Sequence, residues 1–176
     1  MLELTCKLTG ALCIIAATAA FGETKARALA LRVRQLQQFQ RSLKLLSAEI
    51  TFSRALLPYA FQAVARQLEP PLSELYSNAA DNLLSGDERS AREIWESAAA
   101  DIYPHSSFNA ADMEIIAGAG VSLGATEQES QLKQIGLTLQ HLEVALEAAL
   151  EQKQKNEKMW RYLGFAGGAA LVILLL

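Results

Sequence analysis

Glu143, Glu147 and Glu151 recur at every fourth position. That spacing lines three carboxylates along one helix face. Such a row could hold a cation or move a proton if a histidine or a second carboxylate pair faced it. The sequence offers no such partner. His105 and His141 are isolated, and neither stands in the Glu-x-x-His spacing of a di-metal site. Cys6 and Cys13 are the only cysteines, both in or beside the apolar N-terminal stretch, so there is no disulfide framework and no thiolate zinc site. Gly118, Gly120 and Gly124 do not make G-x-G-x-x-G, and no strand pattern precedes them. The glutamate row therefore reads as a solvated or partner-binding face. Glu151 with Lys155, and Glu157 with Arg161, make weakly favourable helical pairs. The expectation is no catalytic residue, no cofactor, no metal and no enzyme. A net charge of -3 also argues against nucleic acid as the main partner.

The chain has 176 residues, of which 51% are hydrophobic, and its two ends carry much of that excess. At the C-terminus, Lys155, Lys158 and Arg161 lead to Trp160 and Tyr162, then to an uncharged run to Leu176. Basic residues, an aromatic pair and an apolar run are the order of a helix leaving cytosol for a bilayer. Trp160, Arg161 and Tyr162 are the expected membrane-interface residues. Gly164 and Gly168 are the expected transmembrane helix contacts, from their G-x-x-x-G spacing. The run is short for a span, which needs roughly 20 residues, unless the bilayer thins or Met159 and Trp160 are drawn in.

The N-terminal stretch Leu8–Gly22 is also uncharged, and two readings fit it. It is a retained anchor, with Glu3 and Lys7 reaching the headgroups, or a cleaved signal peptide with Ala17-Thr18-Ala19 as the cleavage site. The flanks favour the anchor. Lys25, Arg27, Arg32, Arg34 and Arg41 follow it, and Lys153, Lys155, Lys158 and Arg161 precede the tail. Basic residues close to membrane segments stay cytosolic. The division predicted is a transmembrane segment over 1–23, a cytosolic bundle over 24–161 and a second transmembrane segment over 162–176. The alternative is an exported, tail-anchored helical binding domain.

The middle reads as helices throughout. Leu29, Val33, Leu36, Leu43, Leu46 and Ile50 mark one apolar face of a first helix over about 24–54. Pro58 fits the first turn of a second, which Pro70-Pro71 ends near Gln67, and Pro71 opens a third. Ser85-Gly86-Asp87-Glu88 fits a capping box for the fourth, with Asp87 a competing cap. Asn109, with Phe108 and Met113 as a staple, caps a fifth that stops at Gly124. Thr126-Glu127-Gln128-Glu129 caps a sixth, whose Leu132, Ile135, Leu139, Leu142, Leu146 and Ala149 form a heptad seam. The fold class predicted is all-α: a six-helix antiparallel bundle flanked by an N-terminal and a C-terminal transmembrane helix.

The tail K-N-E-K-M-W-R-Y-L-G-F-A-G-G-A-A-L-V-I-L-L-L closely resembles the end of the stage III sporulation protein AB family of endospore-forming bacteria. So do the first helix, R-V-R-Q-L-Q-Q-F-Q-R-S-L-K-L-L-S-A-E-I over Arg32–Ile50, the Leu57-Pro58 turn, and L-G-A-T-E-Q-E-S-Q-L-K-Q-I over Leu123–Ile135. That family is similar to the cytosolic six-helix domain of the inner-membrane platform protein of type II secretion and type IV pili. The resemblance implies a scaffold role in a channel complex between mother cell and forespore. It implies a secretion-type ATPase, stage III sporulation protein AA, and other channel proteins as partners, and a place in the mother-cell membrane around the forespore. Platform proteins carry two copies of the domain and this chain has room for one, which implies a homo-dimer.

Overall fold

A computed structural model of the chain describes residues 2–53, 56–86, 88–123 and 128–175. Among them every regular element is helical: α1 (Leu2–Ala48), a π-helical turn (Glu49–Ser53), α2 (Leu57–Ala65), α3 (Leu72–Leu84), α4 (Ala91–Ile102), a 3-10 turn (Tyr103–His105), α5 (Ala110–Gly118), a second 3-10 turn (Ala119–Ser122) and α6 (Gln128–Leu175). The all-α expectation holds. The flanking transmembrane helices are not supported: among the described residues there are six α-helices, and the apolar ends are the first part of α1 and the last part of α6. The reason is the absence of a breaker. No proline precedes Pro58 or follows Pro104, so nothing stops either helix at the edge of its apolar run. Among the described residues no helix is long and apolar enough to cross a membrane. Charges close in on both runs, with Glu23 and Lys25 after the first and Lys158 and Arg161 before the second.

The chain divides into two compact units, one of Met1–Val33 with Ala148–Leu176 and one of Arg34–Glu147. The second, the bundle unit, is built around an aromatic trio. Phe61, Tyr76 and Trp95 come from α2, α3 and α4 and are fully buried. The Tyr76 and Trp95 rings stand 5.1 Å apart at 72°, and Phe61 lies 5.5 Å from each. Edge-on rings at this separation add stabilisation beyond their buried area. Each polar tip has a partner. Trp95 Nε1 donates to the Ile116 carbonyl at 2.7 Å, and the Tyr76 hydroxyl pairs with Ser42 Oγ at 2.9 Å. Burial pushes the Tyr76 phenol well above its ordinary value.

The periodic faces pack inward as their spacing requires. On α1, Leu36, Leu43 and Leu46 are buried, and Phe39 and Ser42 join them. On α6, Ile135 and Leu142, seven apart, are buried, with Leu132 and Leu139 half-covered and Thr138 taking a core place. Asn109 caps α5 as expected, its side chain accepting from Asp112 N at 2.8 Å while the Asp112 carboxylate accepts from Asn109 N at 3.0 Å. The α4 cap is corrected. Ser90, not Ser85, opens the helix, with Glu93 completing the box. Ser85 instead closes α3, and Gly86 follows with φ 75°, the left-handed position that glycine fills without a Cβ clash. The Ser90 hydroxyl and backbone N–H both donate to the Glu93 carboxylate and hold it below the usual range. The caps expected from Asp87 and Thr126, and the stop expected at Gly124, lie outside the described residues.

Gly120 sits against Trp95: a Cβ there would lie 2.6 Å from Trp95 Cδ1, whereas Gly118 has no such neighbour within 4 Å. Gly120→Ala should destabilise the protein by about 1–3 kcal/mol, as overpacking does, and Gly118→Ala should be neutral or gain up to about 1 kcal/mol; urea unfolding midpoints read both. Tyr76→Phe keeps the ring and loses the hydroxyl pair, at about 1 kcal/mol. It should also change alkaline behaviour. The unfolded phenol ionises near its ordinary value of 10.0 while the buried one does not. Stability held below that pH is therefore lost as pH rises past it, and the Phe variant should lose less in urea titrations run upward from pH 9.

Candidate functional site

The residues singled out for chemistry do not converge. Glu143, Glu147 and Glu151 are exposed, as are His105, His141 and Cys13. Among the described residues no group of three or more His, Cys, Asp or Glu could hold a metal ion. The place where candidate residues meet is the other unit, formed by the two ends of the chain.

There α1 and α6 run antiparallel, since Thr18 faces Gly164 and Gly168 while Gly22 faces Trp160 and Gly164. Glycine makes the approach possible. A Cβ on Gly22 would stand 2.5 Å from the Trp160 carbonyl oxygen and 3.0 Å from Gly164 Cα. A Cβ on Gly164 would stand 2.7 Å from the Thr18 carbonyl oxygen. One on Gly168 would run into Thr18 Oγ1, and the helix backbone of Ile15 lies 3.0 Å away. Backbone meets backbone, so nothing there can give way. Small residues serve helix contacts in this way. The Thr18 hydroxyl donates back to the Ile14 and Ile15 carbonyls at 3.0 and 3.1 Å, so its polar atom is satisfied inside the contact.

One turn further along the pair, the charges and rings assemble. Trp160 stands edge-on to Phe21 at 6.5 Å. Lys25 Nζ sits 5.6 Å from the Phe21 ring centroid, within cation–π range. Glu23 accepts from Arg27 at 2.9 Å and faces Arg161 Nε at 3.1 Å. Arg161 also reaches Glu157 at 3.2 Å. Arg32 donates to Gln152 Oε1 at 2.7 Å. Tyr162 points away from the pair and is exposed, while Gly164 and Gly168 are buried. Of the five residues expected from sequence, then, Trp160, Arg161, Gly164 and Gly168 meet α1 and Tyr162 does not. Gly22, Phe21, Thr18 and Lys25 are the residues on the other side. Sequence reading did not pair them with the tail, although Gly22 and Thr18 are small residues four apart.

The pair exposes large apolar side chains: Leu12, Phe165, Ile173 and Leu174 are each more than half exposed, at 69%, 62%, 78% and 84%. A patch of this kind marks a surface that something else covers.

The family model described as stage III sporulation protein AB matches residues 7–176. The chain belongs to the stage III sporulation protein AB family. It is 39% identical to the Stage III sporulation protein AB of Bacillus subtilis (strain 168) over 171 residues, 97% of this chain and 99% of that one. The solved structure of a Stage III sporulation protein AB superposes with a TM-score of 0.65 at 35% identity, covering 72% of this chain and 98% of its own. The resemblance in the tail and first helix is thus one of family membership along nearly the whole chain. The glycine contact and the helical bundle are properties of this member of it.

Gly164→Leu should force α1 and α6 from backbone contact toward the ~8–10 Å spacing of ordinary helix pairs. Spin labels on exposed Leu12 and Ile173 would report the lengthening by pulsed dipolar spectroscopy. An unchanged distance would show that the glycine is not the spacer.

Proposed function

We propose that this chain is a non-enzymatic membrane scaffold of a secretion-like channel complex between mother cell and forespore during endospore formation. Both apolar ends insert in the mother-cell membrane around the forespore, and the middle of the chain faces the cytosol. The observation that carries this is the helix pair itself. It is locked by glycine contacts, bordered by Lys25, Arg27 and Arg161, and apolar outward from Leu12 to Leu174. A water-facing helix pair would place polar residues outward. Membership of a sporulation family supplies the setting. No helix among the described residues is long and apolar enough to span, so in this reading each end inserts with help. Tryptophan at the headgroup level, snorkelling lysine and arginine, or local thinning are the usual means.

The bundle unit offers polar helix faces, including exposed Glu143 and Glu147, to a secretion-type ATPase, stage III sporulation protein AA, and to the other channel proteins. Two chains associate to supply a paired platform. The exported, tail-anchored alternative is less well supported, because cleavage near Ala19 would remove Thr18, against which Gly164 and Gly168 pack.

Leu171→Arg puts a charge near the middle of the tail, which costs roughly 2.5–3.5 kcal/mol on insertion scales. It should move the protein from the membrane to the soluble fraction, and retention there with unchanged orientation would contradict the proposal. In sealed right-side-out vesicles, trypsin should leave Lys44 and Arg66 uncut until the vesicles are opened; cutting in intact vesicles, with a mature N-terminus near Ala20, would establish the exported form instead.

A further inference from the structure

The helix pair carries an apolar groove of about 500 Å³, within the size range of small-ligand sites, roughly 300–1,000 Å³. Its lining mixes the large side chains of Phe21, Trp160 and Leu163 with the bare backbone of Gly22, Gly164 and Gly167. The groove is a consequence of the glycine contact. Gly22 and Gly164 spend their missing side chains on the approach of the helices. Gly167 does not: no atom lies within 4 Å of where its Cβ would be. The space beside Gly167 is therefore unfilled by either helix.

The charge at one end of this groove is uneven. Glu23 is engaged by Arg27 and Arg161, and Glu157 by Arg161. Lys25 has no carboxylate partner among the described residues, and its ammonium rests over the Phe21 ring that lines the groove. A cation left over at the mouth of an apolar trough complements an amphiphile with an anionic head.

We propose that the groove holds one acyl chain of an anionic phospholipid, with Lys25 at its phosphate. This rests on the membrane reading above and names the lipid that the helix pair selects. Lys25 contributes the preference for the head, and the open position at Gly167 contributes room for the chain. A neutral lipid would fill the trough equally well but leave the ammonium without a counter-charge.

The test uses the full chain in nanodiscs made of phosphatidylcholine, with a minor fraction of lipid brominated on its acyl chains. Bromine quenches a nearby indole. Trp95 is fully buried in the bundle unit and gives a constant background, so the change reports Trp160. Brominated phosphatidylglycerol should act as though enriched roughly fivefold over brominated phosphatidylcholine at equal fraction, the preference one lysine adds near an anionic lipid. Lys25→Gln should bring the two lipids level without abolishing quenching. Gly167→Leu should reduce quenching by both while the Leu12–Ile173 label distance stays unchanged. Equal quenching by both lipids in the wild type overturns the anionic site and leaves the membrane reading intact. Quenching by neither, from protein that still floats with vesicles, overturns it in favour of a second copy's tail in the groove. Failure to float with any vesicle overturns the membrane reading and this proposal together.

Discussion

The approach of Gly22 to Gly164 sets the geometry of the unit made by the chain ends. Two helices with ordinary side chains pack about 8–10 Å apart. Here the backbones come close enough that a single methyl on either glycine would meet main-chain atoms. Dispersion is short-ranged, so this closeness is what makes the contact worth having. It also fixes the register. Once Gly22 and Gly164 are opposed, Glu23 must meet Arg161, Phe21 must meet Trp160, and Arg32 must meet Gln152, as they do. The ion pairs are exposed and add little stability by themselves. Their use is in disfavouring a slipped pairing, which would separate them.

The bundle unit solves a related problem with the same residue. Trp95 is the largest buried side chain and must deliver its N–H to a carbonyl if it is to be buried at all. The Ile116 carbonyl that accepts it lies in α5, and the turn after α5 passes over the indole ring at Gly120. A side chain at position 120 would push that turn away and stretch the hydrogen bond. Tyr76 and Ser42 repeat the arrangement between α3 and α1, where a buried hydroxyl is tolerated because another hydroxyl meets it. These polar ties give an otherwise alanine- and leucine-rich interior a definite alignment. Apolar contacts alone would leave it freer to slide.

The helical content was legible because helices announce themselves locally. A buried face recurs every three or four residues, and a cap such as Asn109 needs partners only three positions away. The α4 start shows the limit of that logic. Ser85 and Ser90 each precede an acidic residue three positions on, and what separates them is that Gly86 takes a positive φ to end α3 first. The apolar ends misled for a similar reason. The order of basic, aromatic and apolar residues marks where a run changes character, not whether the run is long enough to span, and among the described residues no helix is long and apolar enough to cross a membrane. At the site, Gly164 and Gly168 could be read from their spacing, as could Trp160 and Arg161 from their place before the apolar run. Gly22, Thr18 and Lys25 could not be matched to them. The match is a long-range one, between residues at opposite ends of the chain, and one sequence holds no signal for it beyond small residues on both sides.

The shortness of each apolar run becomes intelligible once the runs are treated as a pair. A lone helix shorter than the hydrocarbon core must thin the bilayer or lift its polar flanks through the headgroups. Under the proposed membrane role, two short helices held at backbone distance do this together. Their rims combine Lys25, Arg27 and Arg161 with the Trp160 indole on one side of the contact, and in that role they anchor the same headgroup level from both helices. Under the proposed membrane role, the glycine contact thus does more than join the ends. It turns two segments that are each marginal into one element whose depth is set by its own aromatic and basic rim. It also leaves beside Gly167 a trough that neither helix fills, where the lipid proposed above completes the packing.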